Sequence, residues 1–277
     1  MTWLEAMQAR HSTRRYSEQP VAAELLERLL ATARQVVWLI EPKVRLALVS
    51  GRKRVERILS SPGSVYSLVQ GAPHLLVGLL PQEGDWQRLE LGYNLEHVVL
   101  EATRLGIATC WMTGSYHPEA AAEEVARPGE VVAAAVALGY PRRDMVARTY
   151  ERAVRSVVAA HRRLPLEELV FAGRWGVPWQ REEADPALVT ILEHARLAPS
   201  ARNGQPWRFI ITEEKLVLAL VRPAPIDAGI VMAHVALAAR EVGWPGRWTV
   251  RWDNPLYIRP LDLPWGAMVA ATFSADP

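Results

Sequence analysis

Two short stretches of this sequence gather side chains suited to holding a ligand. Near the start, RHSTRRY places Arg10, Ser12 and Arg14 two residues apart, so an extended backbone turns all three to one side. Two guanidiniums and a hydroxyl facing one way suit a phosphate, whose oxygens arginine grips in bidentate fashion. The same R-x-S-x-R spacing also serves as a solvated basic turn, and the stretch alone leaves both readings open. Far downstream, LAPSARNGQPWRFII (197–211) packs Pro199, Ser200, Ala201, Asn203, Gln205 and Trp207 between an expected helix and an expected strand. Gln205 and Trp207 have a plainer use there, capping the turn and closing the core.

The elements that position these stretches come in duplicate. Shifted by 137 residues, GYNLEHVVLEATRLGIATCW (92–111) lies without a gap on GIVMAHVALAAREVGWPGRW (229–248), matching Gly92 with Gly229, His97 with His234 and Trp111 with Trp248. Each copy reads as an apolar helix, a capping glycine and then a strand. A second shift, of 162, sets LEAMQARHSTRRY (4–16) opposite LEELVFAGRWGVP (166–178), and LLATAR (29–34) opposite ILEHAR (191–196). Periodicity and turn residues predict helices near 4–10, 22–34, 52–60, 88–105, 117–126, 144–162, 186–196 and 227–242. Strands are predicted near 44–50, 73–80, 131–139, 207–212, 216–221 and 266–273. No GxGxxG follows a strand, and the elements alternate too irregularly for a doubly wound sheet, so an α+β fold is expected.

Composition narrows the function. With 277 residues, 50% apolar and 22% charged, the chain can bury one large core or two modest ones. Its apolar runs, VVAAAVALGY (131–140) among them, fall short of the ~20 residues of a bilayer helix. The N-terminus lacks a continuous signal-peptide core, so a cytoplasmic location and no membrane partner are expected. A single cysteine, Cys110, excludes a redox pair and a thiolate zinc cage. It lies in an apolar run and is read as a buried, inert thiol. The net charge of +2 speaks against a nucleic-acid protein, although 142–163 holds seven arginines against two acids. That segment is read as a connecting helix with a solvated basic face, or as a surface for lipid or nucleic acid.

Taken together, R-x-S-x-R after a first helix, P-S-x-x-N-x-Q-P-W after a second and a long helix leading into LGIATCWMTG resemble the FMN-dependent nitroreductase family over nearly the whole chain. The resemblance implies a nitroreductase-like α+β fold. In that family two subunits share each flavin: one gives R-x-S-x-R to the phosphate and its partner gives P-S-x-x-N. Here the first copy keeps Arg10, Ser12 and Arg14 but has QVVWLIEPKV (35–44) where the second has APSARNGQPW. The second copy keeps Pro199, Ser200, Ala201 and Asn203 but sets Ala172, Arg174 and Gly176 at the phosphate positions. The chain is thus similar to the single-chain, internally duplicated branch: an internal pseudo-dimer of halves 1–163 and 164–277, with one composite FMN site and one degenerate site. A monomer is expected in preference to a homodimer.

The resemblance also implies further contacts. TCWMTGSY (109–116) points to the backbone of Thr113 and Gly114 at the flavin N5, and RRLPLEELVF (162–171) to Arg163 at the phosphate. Arg14 would lie by the N1/C2=O edge, stabilising negative charge. His11 would face the polar side of the flavin, or else be a plain surface histidine. No catalytic side chain is called for, since FMN carries the chemistry: NADH or NADPH gives hydride to N5, leaves, and a small acceptor (nitroaromatic, quinone or enone) takes its place. A deazaflavin in place of FMN is left open. Two rivals stand beside this reading: a flavin-binding protein without turnover, in which FMN is sensory, stored or structural, and a non-enzymatic interaction module using the 142–163 helix. His97 and His234, at matched helical positions, are read as packing residues and not as metal ligands, and 52–68 is read as a lid with a Pro-Gly turn.

Overall fold

The structure, a computed structural model, describes residues 1–41, 43–60, 69–157, 162–213, 215–252 and 259–275. The expected lid is described only as far as residue 60, and its Pro-Gly turn lies outside the described residues. The N-terminal part runs α1 (Trp3–Ala9), α2 (Ala23–Gln35), β1 (Arg45–Ser50), α3 (Arg52–Leu59), β2 (His74–Leu80), α4 (Asp85–Arg104), β3 (Ala108–Met112), α5 (Pro118–Val125), β4 (Val131–Gly139) and α6 (Met145–Val157). The C-terminal part runs α7 (Leu166–Leu169), β5 (Val170–Ala172), α8 (Pro186–Ala195), β6 (Trp207–Ile211), β7 (Leu216–Leu220), α9 (Pro225–Glu241), β8 (Gly246–Val250) and β9 (Met268–Ala275). Local chemistry sets several of these boundaries. Thr2 and Glu5 form a reciprocal capping box on α1. Asp185 caps α8, with Pro186 at its first position.

The duplication is visible in the sheets. One has the order β1-β2-β4-β3, and the other repeats it as β6-β7-β9-β8 with β5 added outside β6. The repeated neighbours are all antiparallel. Even the irregularity recurs, as the register slips between Gly78 and Leu79 on β2 and between Leu218 and Ala219 on β7. Every residue of β2 and of β7 is buried. These strands therefore read as continuous apolar runs, because both faces are covered: β2 packs beside α3 and α4, and the outer face of the second sheet, at Ile210 and Val217, packs with Trp175, Leu261 and Leu263.

α4 and α9 cross at the centre, and the crossing explains the paired glycines. A Cβ on Gly92 would meet the Ile226 carbonyl oxygen at 2.3 Å, and one on Gly229 would meet the Leu89 carbonyl oxygen at 2.0 Å. Leu89 and Ile226 are themselves related by the shift of 137, so the contact is symmetric about an internal pseudo-twofold. The helices bury polar groups at this seam. Glu96, fully buried, accepts from the Trp111 indole N–H at 2.7 Å and pairs with His234 Nε2 at 3.0 Å. His97 Nδ1 lies 2.7 Å from the Tyr93 carbonyl oxygen, and burial pushes its pKa down to about 4. Both histidines are thus packing residues. Among the described residues, no group of three or more His, Cys, Asp or Glu could hold a metal ion.

One expectation needs correction. The residues set opposite each other by the second shift do not share a structure: 4–16 is a two-turn helix followed by an extended segment, whereas 166–178 is a single turn, α7, running directly into β5. β5 joins β6 in parallel, whereas residues 8–10, set opposite it, end α1. The basic segment expected to be helical over 144–162 is helical over Met145–Val157, and 158–161 lie outside the described residues. Its basic face is exposed at Arg148, Arg152 and Ser156, as read, and these residues border a cleft. No described helix is long and apolar enough to cross a membrane.

Candidate functional site

The cleft opens where the N-terminal strap, the end of β3, α6 and the turn after α8 meet, and it has a volume of about 1560 Å³. The strap, 10–16, is extended because it is hydrogen-bonded along its length to the first sheet. Thr13 N donates to the Thr109 carbonyl at 2.9 Å, Tyr16 N to Gln70 at 3.0 Å, and Gln70 N returns a bond to Arg14 at 2.8 Å. Arg14 is held buried, while Arg10 and Ser12 are half-buried. All three line the cleft, as the spacing predicts.

The opposite wall is the turn 199–205, folded against its own preferences. Arg202, Asn203 and Gln205 all have positive φ, at 52°, 56° and 43°, a conformation costing of order 1–3 kcal/mol each in non-glycine residues. Polar bonds hold it there. Ser200 Oγ accepts from Gln205 N at 2.9 Å, and Asp227 Oδ1 from Ala201 N at 3.1 Å. Gln205 Oε1 accepts from Leu164 N at 2.9 Å, and Asn203 Nδ2 donates to the Arg162 carbonyl at 2.8 Å. Trp207 is fully buried behind the turn. Gln205 and Trp207 therefore cap the turn and close the core. They do not line the cleft.

Arg163 is tied to the wall formed by the turn. Its guanidinium donates to Asn203 Oδ1 at 2.6 Å and to the Leu197 carbonyl at 3.1 Å. Burial and the nearby Arg10 and Arg196 charges push its pKa down to about 10, so it remains a cation at neutral pH. Among the described residues, nine arginines line the cleft against Glu151 and Asp227. The site is therefore strongly positive and suited to anions. The Glu151 carboxylate, from α6, accepts from the backbone N–H of Arg14 and of Arg15, and faces the Arg14 guanidinium at 3.6 Å.

The eleven residues the resemblance assigns to the flavin all line this one cleft: Arg10, His11, Ser12 and Arg14 from the strap, Thr113 and Gly114 after β3, Arg163 from the linker, and Pro199, Ser200, Ala201 and Asn203 from the turn. His11 is exposed at the edge, its Nδ1 3.0 Å from the Ala9 carbonyl oxygen. Cys110 is buried behind the strap, and burial pushes its thiol up, as expected for an inert cysteine. Asp227, Trp111, Met112, Ile226, Ile230 and the α6 residues also line the cleft and were not singled out. A signal for Asp227 exists: carried two residues upstream of Gly92, the shift of 137 pairs it with Glu90. Burial pushes the Asp227 carboxyl above the ordinary carboxylate range, with the Ala201 hydrogen bond and Arg222 pulling it back. For the α6 residues the spacing of basic side chains was visible, but nothing local says on which surface the helix lies.

The fold is shared with solved structures. A putative nitroreductase from Thermotoga maritima MSB8 superposes over 100% of this chain and 95% of its own at 23% identity, with a TM-score of 0.63. A nitroreductase family protein from Clostridium novyi NT matches 66% of this chain and 100% of its own (19% identity, TM-score 0.46). A nitroreductase with bound FMN from Bacteroides fragilis NCTC 9343 matches 50% and 88% (22% identity, TM-score 0.43). No curated protein matches the chain. The family model described as "Putative TM nitroreductase" matches residues 2–239, most of the chain, and the protein therefore belongs to this nitroreductase family.

Proposed function

We propose that the cleft holds one FMN per chain and that the protein is an NAD(P)H oxidoreductase in which donor and acceptor bind in turn. One observation carries the reading: the half-motif Arg10-x-Ser12-x-Arg14 and the half-motif Pro199-Ser200-x-x-Asn203, 185 residues apart at their closest named members, face each other across one cleft. The residues present fit the cofactor. A phosphate needs converging cations and a hydroxyl, which Arg10, Arg14, Arg163 and Ser12 would supply. The apolar Trp111, Met112, Ile226 and Ile230 offer the ring system its apolar surface. At about 1560 Å³ the cleft exceeds the ~300–1,000 Å³ of ordinary small-molecule sites, which leaves room for a second ligand.

When bound, FMN supplies two-electron chemistry, taking hydride at N5 from NADH or NADPH and passing it to a nitroaromatic, quinone or enone. The protein's own part is to bind, orient and set charge. Arg14, held between the Ser12 carbonyl at 3.3 Å and Glu151, would keep a fixed cation beside the ring system. Thr113, Gly114 and the strained turn would fix the ring's position, and Asp227 would hold the turn through Ala201. The halves divide at 163/164, where Arg163 ties the linker to the second half's turn. Because the α4–α9 crossing is complete within one chain, a monomer suffices. The test is steady-state kinetics of the FMN-loaded protein with NADPH and a quinone. Parallel reciprocal lines as acceptor is varied support the reading, and bound FMN that NADPH and NADH leave oxidised under nitrogen contradicts it.

A further inference from the structure

The positive charge of the cleft exceeds what one phosphomonoester requires. Arg10, Ser12, Arg14 and Arg163 account for the cradle, yet Arg143, Arg148, Arg152 and Arg202 also line the cleft. No ion pair or side-chain hydrogen bond among the described residues engages any of these four. Arg148 and Arg152 stand one helical turn apart on α6, and Ser156 follows one turn later, so two guanidiniums and a hydroxyl line the same wall. The only carboxylate in that row, Glu151, is spent on the Arg14 and Arg15 amides. Like charges at this spacing oppose the helix that carries them. A helical face that keeps uncompensated cations beside a cleft is arranged for a polyanion.

We propose that this face of α6 grips the phosphates of the nicotinamide donor and selects the donor with the additional phosphomonoester, NADPH over NADH. The inference rests on the oxidoreductase reading given above. Three features single out the dinucleotide. The cations line a concave site with room for a second ligand. The guanidinium pair matches phosphate oxygens. NADPH carries a 2′-phosphomonoester that NADH lacks, and arginine is the side chain suited to it. A basic stripe along a helix also suits a nucleic acid, and the oligonucleotide arm of the experiment below separates the two.

Titration calorimetry of the FMN-loaded protein with NADP+, NAD+ and adenosine 2′,5′-bisphosphate at low salt tests this, with the wild type beside the Arg148→Gln/Arg152→Gln double variant. The wild type is expected to bind NADP+ about tenfold more tightly than NAD+, the gap narrowing as salt shortens the Debye length. In the double variant the ratio should approach one while FMN content per chain stays unchanged. Equal binding of the two dinucleotides by wild type, or an unaltered ratio in the variant, would overturn the assignment. So would tighter binding of a single-stranded oligonucleotide than of NADP+. Failure of the flavin reading has a different signature: a protein that takes up no FMN yet still prefers NADP+ through Arg148 and Arg152 loses the oxidoreductase reading and keeps the phosphate grip.

Discussion

The turn at 199–205 and the stretch at 36–41 stand at equivalent places in the two copies, each between a helix and the first strand of a sheet. Both are tied to the central helices in the same way. Ala201 N donates to Asp227 on α9 at 3.1 Å, and Leu39 N donates to Glu90 on α4 at 3.0 Å. The two contacts are related by the same pair of shifts, 162 for the amides and 137 for the carboxylates. What differs is the rest of the turn. The second copy holds three residues at positive φ and turns Ser200 and Asn203 to the cleft, whereas the first puts Trp38 and Leu39 against the core. The contact that places the backbone is common to both copies, and the groups suited to a ligand are found in one.

The comparison can be broken most severely at the crossing both halves share. Gly229→Leu forces a side chain into the Leu89 carbonyl, and both halves should unfold together, with a loss of about 4 kcal/mol or more in denaturant titration. Loss of one half alone would show that the halves are not one cooperative unit.

Next in size is the pH response of the first copy, where Glu90 holds the Leu39 amide. Burial pushes the Glu90 carboxyl from 4.5 up to about 7. A raised folded-state value favours folding below pH 4.5, and that contribution is lost as pH rises through about 7. Wild-type stability should therefore fall by about 3 kcal/mol across this window from Glu90 alone, and Glu90→Gln should flatten the profile. An unchanged profile would show that Glu90 is not the titrating group.

The ligand halves are then separated by four variants. Arg10→Ala and Asn203→Ala should each weaken FMN binding by about ten- to a hundredfold, the cost of losing one charged or amide partner. Arg174→Ala and Trp38→Ala, which the second shift sets opposite Ser12 and Ser200, should leave it within about twofold; Arg174 already faces Asp262 at 3.2 Å. Flavin fluorescence titration reads all four. The smallest effect is expected at Glu151→Ala, which frees α6 from the Arg14 and Arg15 amides and should cost about 1 kcal/mol. Faster amide exchange confined to α6 would mark it, and exchange spread over the first sheet would contradict the local role.

Much of this was legible because repeats and motifs are local records. The shift of 137 found both central helices and the glycines of their crossing without a structure, since close backbone approach leaves a glycine in each copy. R-x-S-x-R and P-S-x-x-N could be read as two halves of one site because each copy lacks the other's half. The second shift misled over 166–178, where similar apolar spacing covers a single turn and a parallel edge strand, and three-residue β5 is too short for any period to show. The α6 wall was illegible for another reason. Its arginines announce a charged face, but which surface that face meets depends on how the linker crosses between halves. Asp227 shows in the sequence only through its pairing with Glu90 under the shift of 137, which does not say that it serves the distant Ala201 amide.

The central claim is one flavin per chain in a site made from both copies. It is tested most directly by saturating the protein with FMN, removing the excess, and counting released flavin against protein. The account predicts one FMN per chain in wild type and a strongly depleted value in both Arg10→Ala and Asn203→Ala. Two FMN per chain, or one that survives both substitutions, would contradict it.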